Sequence, residues 1–155
     1  MSPKLIYVVI AFMLCSSVVN ILLSRKRERR IRRYALNNGF SFCDDVLPGD
    51  FPLAQCDFST SNWATKIRGA VTGKREDHNF LFFDWIVECG RNGRSYAQTV
   101  IAIPGNHRNS WVTRLDCSLT TEQADNWTVC YRRDFILPAD EIDSLISSLY
   151  VPRVF

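Results

Sequence analysis

Cysteine is the first residue type here with reactive chemistry to offer. Cys43, Cys56, Cys89, Cys117 and Cys130 lie in the body of the chain, and Cys15 in an apolar run near its start. A structural zinc site needs thiolates in close pairs or interleaved with histidines. No two of these cysteines stand as Cys-x-x-Cys, and neither His78 nor His107 lies at ligand spacing from another donor. Cys89, Cys117 and Cys130 fall within strand-like runs, where an unpaired cysteine is commonly a small buried apolar residue. A thiol hydrolase would need His78 or His107 to meet Cys89 or Cys117 in space, and no nucleophile motif surrounds any of the four. The expectation is therefore no metal, no cofactor and no catalytic residue, with disulfides disfavoured by the reducing compartment argued for below.

The carboxylates lead to the same place. Asp44-Asp45 and Glu76-Asp77 lie in loop-like stretches, where paired acids are solvated. Asp84 stands apart, between Phe83 and Trp85 in the middle of an apolar strand. Alternation puts it on the wetter face of that strand, and the other reading is an ion pair across the hairpin with Arg68. No Gly-x-Gly phosphate loop occurs, and Asn126-Trp127-Thr128 is a glycosylation acceptor only if it leaves the cytosol. Trp63, Trp85, Trp111 and Trp127, with Phe80, Phe82 and Phe83, exceed what one core face needs. Either they fill a dense small core, or some of them line an exposed patch for a partner.

The elements that would position these residues begin with Leu5 to Ser24, twenty residues without a charge. As a helix that run is about 30 Å long, the thickness of a bilayer's hydrocarbon core. A cleaved signal peptide carries its basic residues before the apolar run. Here they follow it, as Arg25, Lys26, Arg27, Arg29, Arg30, Arg32 and Arg33, against Lys4 on the other side. Charge near a membrane is retained on the cytoplasmic side, which predicts an inner (plasma) membrane protein with its N-terminus outside and its domain in the cytoplasm. The seven cations form a basic collar at the membrane surface, where they set topology and could also bind acidic headgroups.

The whole chain carries a net charge of +3, but the collar (residues 25–33) holds seven basic residues against one Glu. Residues 34–155 hold 11 basic against 15 acidic, a net −4. A mildly acidic domain is a poor match for phosphate, so nucleic acid is not the expected partner. The chain divides into an anchor (1–24), a basic juxtamembrane helix (25–38) and a domain (39–155).

Ile31, Tyr34 and Ala35 continue a helical stripe, and Gly39 sits where a helix C-cap is expected. Residues 40–62 read as irregular, punctuated by Pro48-Gly49 and Pro52. Beyond Trp63 the period becomes two. Trp63, Thr65, Ile67, Gly69 and Val71 would share one face of a strand, and Gly73 to Asn79 form a charged turn. Phe80 to Cys89 is the strongest strand, with Leu81, Phe83, Trp85, Val87 and Cys89 on its apolar face, and Asn92-Gly93 signals the hairpin to Ser95–Ile103. Trp111–Leu119 and Trp127–Tyr131 also alternate. A helix over about 138–150 closes the chain, with Ile142, Leu145, Ile146 and Leu149 as its buried stripe. The predicted fold is α+β: four or five antiparallel strands in a curved sheet with the last helix packed on it, as in a PH-like or cystatin-like roll.

The runs Phe51-Pro52-Leu53, Ile67-Arg68-Gly69, Leu81-Phe82-Phe83-Asp84 and Gln98-Thr99-Val100 resemble a domain of uncharacterised bacterial single-pass membrane proteins, over roughly residues 25–150. That resemblance implies a bacterial origin and the same anchor-plus-domain order, and it supplies no catalytic residue. The expected function is a non-enzymatic, membrane-tethered interaction domain that binds a protein partner or the membrane surface. The alternatives are a small Cys- or Asp-dependent enzyme, or a binder of lipid or a small apolar ligand in a cavity between sheet and last helix.

Overall fold

The first helix does not end with its apolar run. In the computed structural model, which describes residues 3–59, 64–75, 78–88, 95–105 and 119–148, helix α1 is one unbroken element of 35 residues, Pro3–Asn37. Its N-terminal stretch is long and apolar enough to cross a membrane, and none of that stretch is buried. Its last three turns behave differently: Ile31 and Ala35 are buried and Tyr34 is half-buried, so the stripe read from the sequence faces a core. The helix ends at Gly39, whose φ of +70° suits a residue without a Cβ. The Phe40 amide returns to the Ala35 carbonyl at 2.8 Å and the Gly39 amide to Leu36 at 3.3 Å, the paired bonds of a Schellman cap.

Among the described residues six strands follow: β1 (Ser41–Cys43), β2 (Ala64–Arg75), β3 (His78–Glu88), β4 (Tyr96–Pro104), β5 (Thr120–Ala124) and β6 (Trp127–Tyr131), then helix α2 (Ala139–Ser148). They form an open sheet in the order β1-β2-β3-β4-β6-β5, with every neighbouring pair antiparallel. The expected count was four or five. The additional strands are the short β1, inside the stretch read as irregular, and β5, a polar run (Thr-Thr-Glu-Gln-Ala) at the sheet edge. The strand expected at Trp111–Leu119 lies outside the described residues, apart from Leu119. The expected charged turn is shorter than it looked, because β2 continues to Arg75 and β3 begins at His78.

Both faces of the sheet are covered. On one, Ile31 and Ala35 of α1 and Ile142 and Ile146 of α2 meet Val71, Phe80, Phe82, Ile101 and Ile103. On the other, the segment between β1 and β2, with 3-10 turns at Leu53–Gln55 and Asp57–Ser59, lays Phe51, Cys56 and Phe58 over Leu81, Phe83, Trp85 and Val129. Edge-to-face rings join the layers: Phe51 against Phe83 at 5.6 Å and Trp127 at 5.4 Å, and Phe58 against Trp85 at 5.5 Å and Tyr131 at 5.2 Å. The aromatic surplus among the described residues is thus core, shared between two faces. Trp63 and Trp111 lie outside them.

One expectation fails in detail. Ile67 and Val71 do not share a face, because the β2–β3 register shifts between Arg68 and Val71. Gly69, at φ +63°, makes the irregularity, and its amide bonds the Asp44 carbonyl at 2.7 Å rather than a partner strand. An extra residue in a strand reverses the alternation beyond it. Ile67 therefore packs under the 3-10 segment and Val71 under the helices.

α2 joins α1 through a polar contact as well. Tyr34 donates to the Asp143 carboxylate at 2.9 Å and Arg75 reaches the same oxygen at 2.7 Å. The Arg75 guanidinium, aided by the tyrosine, holds the Asp143 carboxyl below its usual range. A lowered carboxylate stabilises the fold at neutral pH and loses that contribution as the pH falls through its folded value.

Packing at the far end of α1 turns on Gly73. A Cβ there would stand 2.5 Å from Phe40 Cδ1 and 2.6 Å from Phe80 Cζ. Gly73→Ala should therefore destabilise by about 1–3 kcal/mol, the usual cost of overpacking a core. Urea unfolding followed by tryptophan fluorescence measures this. An unchanged midpoint would show that the two rings move aside freely.

Candidate functional site: an arginine clasp and the groove beside it

Where α1 leaves its uncharged run it turns Ser24, Arg27, Glu28 and Ile31 towards the sheet, a helical stripe of period near 3.6. Arg27 is therefore not a free member of the collar. Its guanidinium lies over the centre of the sheet, where β3 places Asp84 only 2% exposed. Arg27 Nε donates to Asp84 Oδ2 at 2.6 Å and Nη2 to Oδ1 at 2.8 Å, a two-pronged contact. Nη1 donates to the Leu137 carbonyl at 2.7 Å.

Thr99, directly opposite Asp84 on β4, completes the network. Its hydroxyl donates to Asp84 Oδ1 at 2.8 Å and accepts from the Leu137 amide at 3.0 Å and from Arg27 Nη2 at 3.1 Å. The Thr99 amide donates to the Phe135 carbonyl at 3.0 Å. Four parts of the chain (α1, β3, β4 and the approach to α2) thus meet at one charge pair, each contributing a hydrogen-bonding group.

Both sequence readings of Asp84 are corrected by this. It is not on a wet face, because α1 covers that face. Its partner is not Arg68, which instead donates to the Ser24 hydroxyl. The sequence signal was present in two halves, an acid inside an apolar strand and an arginine on the buried stripe of a helix, but nothing in the spacing joined residues 57 positions apart. The remaining collar residues Arg25, Lys26, Arg29, Arg30, Arg32 and Arg33 are exposed. Leu22, Arg25, Lys26, Arg29, Arg30 and Arg33 border one basic concavity on the outer face of α1.

Beside the clasp, α1 and the sheet part to leave an open groove of about 750 Å³. Its helix wall is Ile21, Ser24, Arg25 and Glu28, its floor includes Lys66, Arg68, Asp84, Ile86 and Ala97, and Asp44 and Asp45 form its rim.

Among the described residues the remaining candidates do not assemble into chemistry. Cys56 and Cys130 are buried, and burial pushes their thiols up to about 12 and about 11. A nucleophilic thiol needs its pKa lowered, so these two are displaced the wrong way. Cys15 and Cys43 are exposed and unbridged. On the second face the Asp57 amide donates to both Glu122 oxygens, at 3.2 and 3.1 Å, while burial raises the Glu122 carboxyl. That arrangement pins a 3-10 turn to β5. His78 is exposed at the start of β3. His107, Cys89, Cys117, Glu76 and Asp77 lie outside the described residues. Among the described residues no three His, Cys, Asp or Glu side chains gather to hold a metal ion.

Removing one member of a buried ion pair strands the other, at a cost of about 3–5 kcal/mol. Asp84→Ala should lower stability by that amount. Arg27→Lys should restore little, because a lysine cannot reach the carboxylate and the Leu137 carbonyl together. Arg27→Met with Asp84→Leu, which removes both charges, should be milder than either single change. Unfolding midpoints of the four purified proteins test this, and an Asp84→Ala midpoint equal to wild type would show the pair to be unimportant.

No protein-family model, no curated protein and no solved structure matches this chain.

Proposed function

We propose that this chain is a single-pass membrane protein whose C-terminal domain is a non-enzymatic interaction module, held at the cytoplasmic face with its N-terminus outside. The observation that carries this reading is the continuity of α1. One helix is apolar and unburied along the stretch that would span, then becomes a wall of the domain core without a linker. The domain is thus bolted to its anchor at a fixed height and orientation, which suits a module that presents a surface to a partner. Orientation follows from the basic residues of the collar, six of which remain exposed on α1.

The contact surface is the β5 edge. Among the described residues no strand pairs with the outer side of β5, and Thr120 is exposed with Thr121, Glu122 and Gln123 half-buried. An open edge offers backbone donors and acceptors to an extended segment of another protein. The exposed-aromatic alternative loses support from the burial of Phe51, Phe58, Phe80, Phe82, Phe83, Trp85 and Trp127. An enzyme reading gains nothing from the raised thiols of Cys56 and Cys130 or from Asp84, whose oxygens are both occupied.

A photoreactive amino acid placed at Thr120 or Gln123 in living cells should yield one discrete protein adduct, and the same residue at Asn37 on the helix should not. The absence of any adduct at the edge, or the same adducts from both sites, would sink the reading.

A further inference from the structure

We propose that the groove between α1 and the sheet binds the headgroup of an aminophospholipid with a primary ammonium, of the phosphatidylethanolamine type. The inference rests on the reading of α1 as a spanning helix. With the uncharged run ending at Ser24, Arg25 to Glu28 lie about 1.5–6 Å beyond it, the depth of a bilayer's headgroup layer. The groove opens at that level, and its volume of about 750 Å³ falls in the range of small-molecule sites, commonly about 300–1,000 Å³. Ile21, Ile86 and Ile136 give it an apolar side continuous with the helix surface that lipid chains would cover.

Its charges sort into two groups. Arg68 and Asp84 are engaged with Ser24 and Arg27. That leaves Arg25 and Lys66 as cations and Glu28, Asp44 and Asp45 as anions, and none of the five has an ion pair among the described residues. A site with unpaired charge of both signs, and one more negative than positive, disfavours a purely anionic headgroup. A zwitterion answers both groups, its phosphate to Arg25 and Lys66, its ammonium to the carboxylates. Carboxylates take hydrogen bonds from a primary ammonium, which has three donors. A quaternary choline has none and is held by aromatic cages, whereas Tyr96 is the groove's one aromatic residue among those described.

The test is lipid retention by the full-length protein, extracted from vesicles of equal parts phosphatidylethanolamine, phosphatidylglycerol and phosphatidylcholine and weighed by native mass spectrometry. Wild type should keep phosphatidylethanolamine preferentially. Lys66→Glu, and separately Asp44→Asn with Asp45→Asn, should reduce that retention about tenfold, the loss expected for one charge-assisted contact. Arg33→Gln, outside the groove, should leave it unchanged. Because Lys66, Asp44 and Asp45 are exposed, both groove variants should fold, and unchanged unfolding midpoints will confirm that. Equal retention of all three lipids, or preference unmoved in both groove variants, overturns the proposal. Carbonate washing of the same membranes separates the two readings. A protein that stays in the pellet without headgroup preference refutes the groove alone, and one released by the wash refutes the spanning helix with it.

Discussion

A carboxylate sits near the middle of this sheet with a helix lying over it, and the arrangement of the rest follows from that constraint. An ionised group taken out of water has to recover its lost hydration from a partner and from hydrogen bonds. Asp84 receives two bonds from Arg27 and one from Thr99. In satisfying it, Arg27 fixes the rotation of α1, Thr99 ties in β4, and the Leu137 main chain is drawn to the same point. Buried ion pairs contribute little net stability compared with apolar packing, yet they penalise wrong arrangements heavily. The pair here fits the one rotation of α1 in which Arg27 faces the sheet.

The second constraint is a sheet buried on both sides. A central strand with two covered faces needs apolar residues in succession rather than alternation, and Phe80 to Val87 supplies them. The helices close one face. The other is closed by a stretch with almost no regular structure, anchored by Phe51 and Phe58 and by the bond from the Trp127 indole to the Asp50 carbonyl. Gly69 makes this compatible with a single β2, letting its first half serve one face and its second half the other.

Much of this was legible in the sequence, and the part that was not has physical reasons. The long apolar helix, its stop at Gly39, the β3–β4 pair and the stripe of α2 are each written in local spacing. The bulge at Gly69 was hidden because a single glycine in a strand reports a possible irregularity but not its direction. β5 was hidden because an edge strand half-exposed to water needs no apolar signature. The covering role of residues 44–59 depended on knowing that the sheet had a second dry face. The clasp was the least legible: Arg27 read as one of seven equivalent collar cations, and only the rotation of α1 distinguishes it from Lys26 or Arg29.

The clasp ties α1 to the sheet, and both the proposed partner surface on β5 and the proposed headgroup groove beside Ser24 rest on that join. The most direct test is the distance distribution between spin labels on ketone-bearing side chains at Arg29 of α1 and Glu88 of β3, both exposed, in protein reconstituted in lipid bilayers. The account predicts one narrow distribution in the wild-type background that broadens when Asp84 is replaced by Ala. A broad distribution in the wild-type background would mean that helix and sheet move independently, and the clasp would not be what joins them.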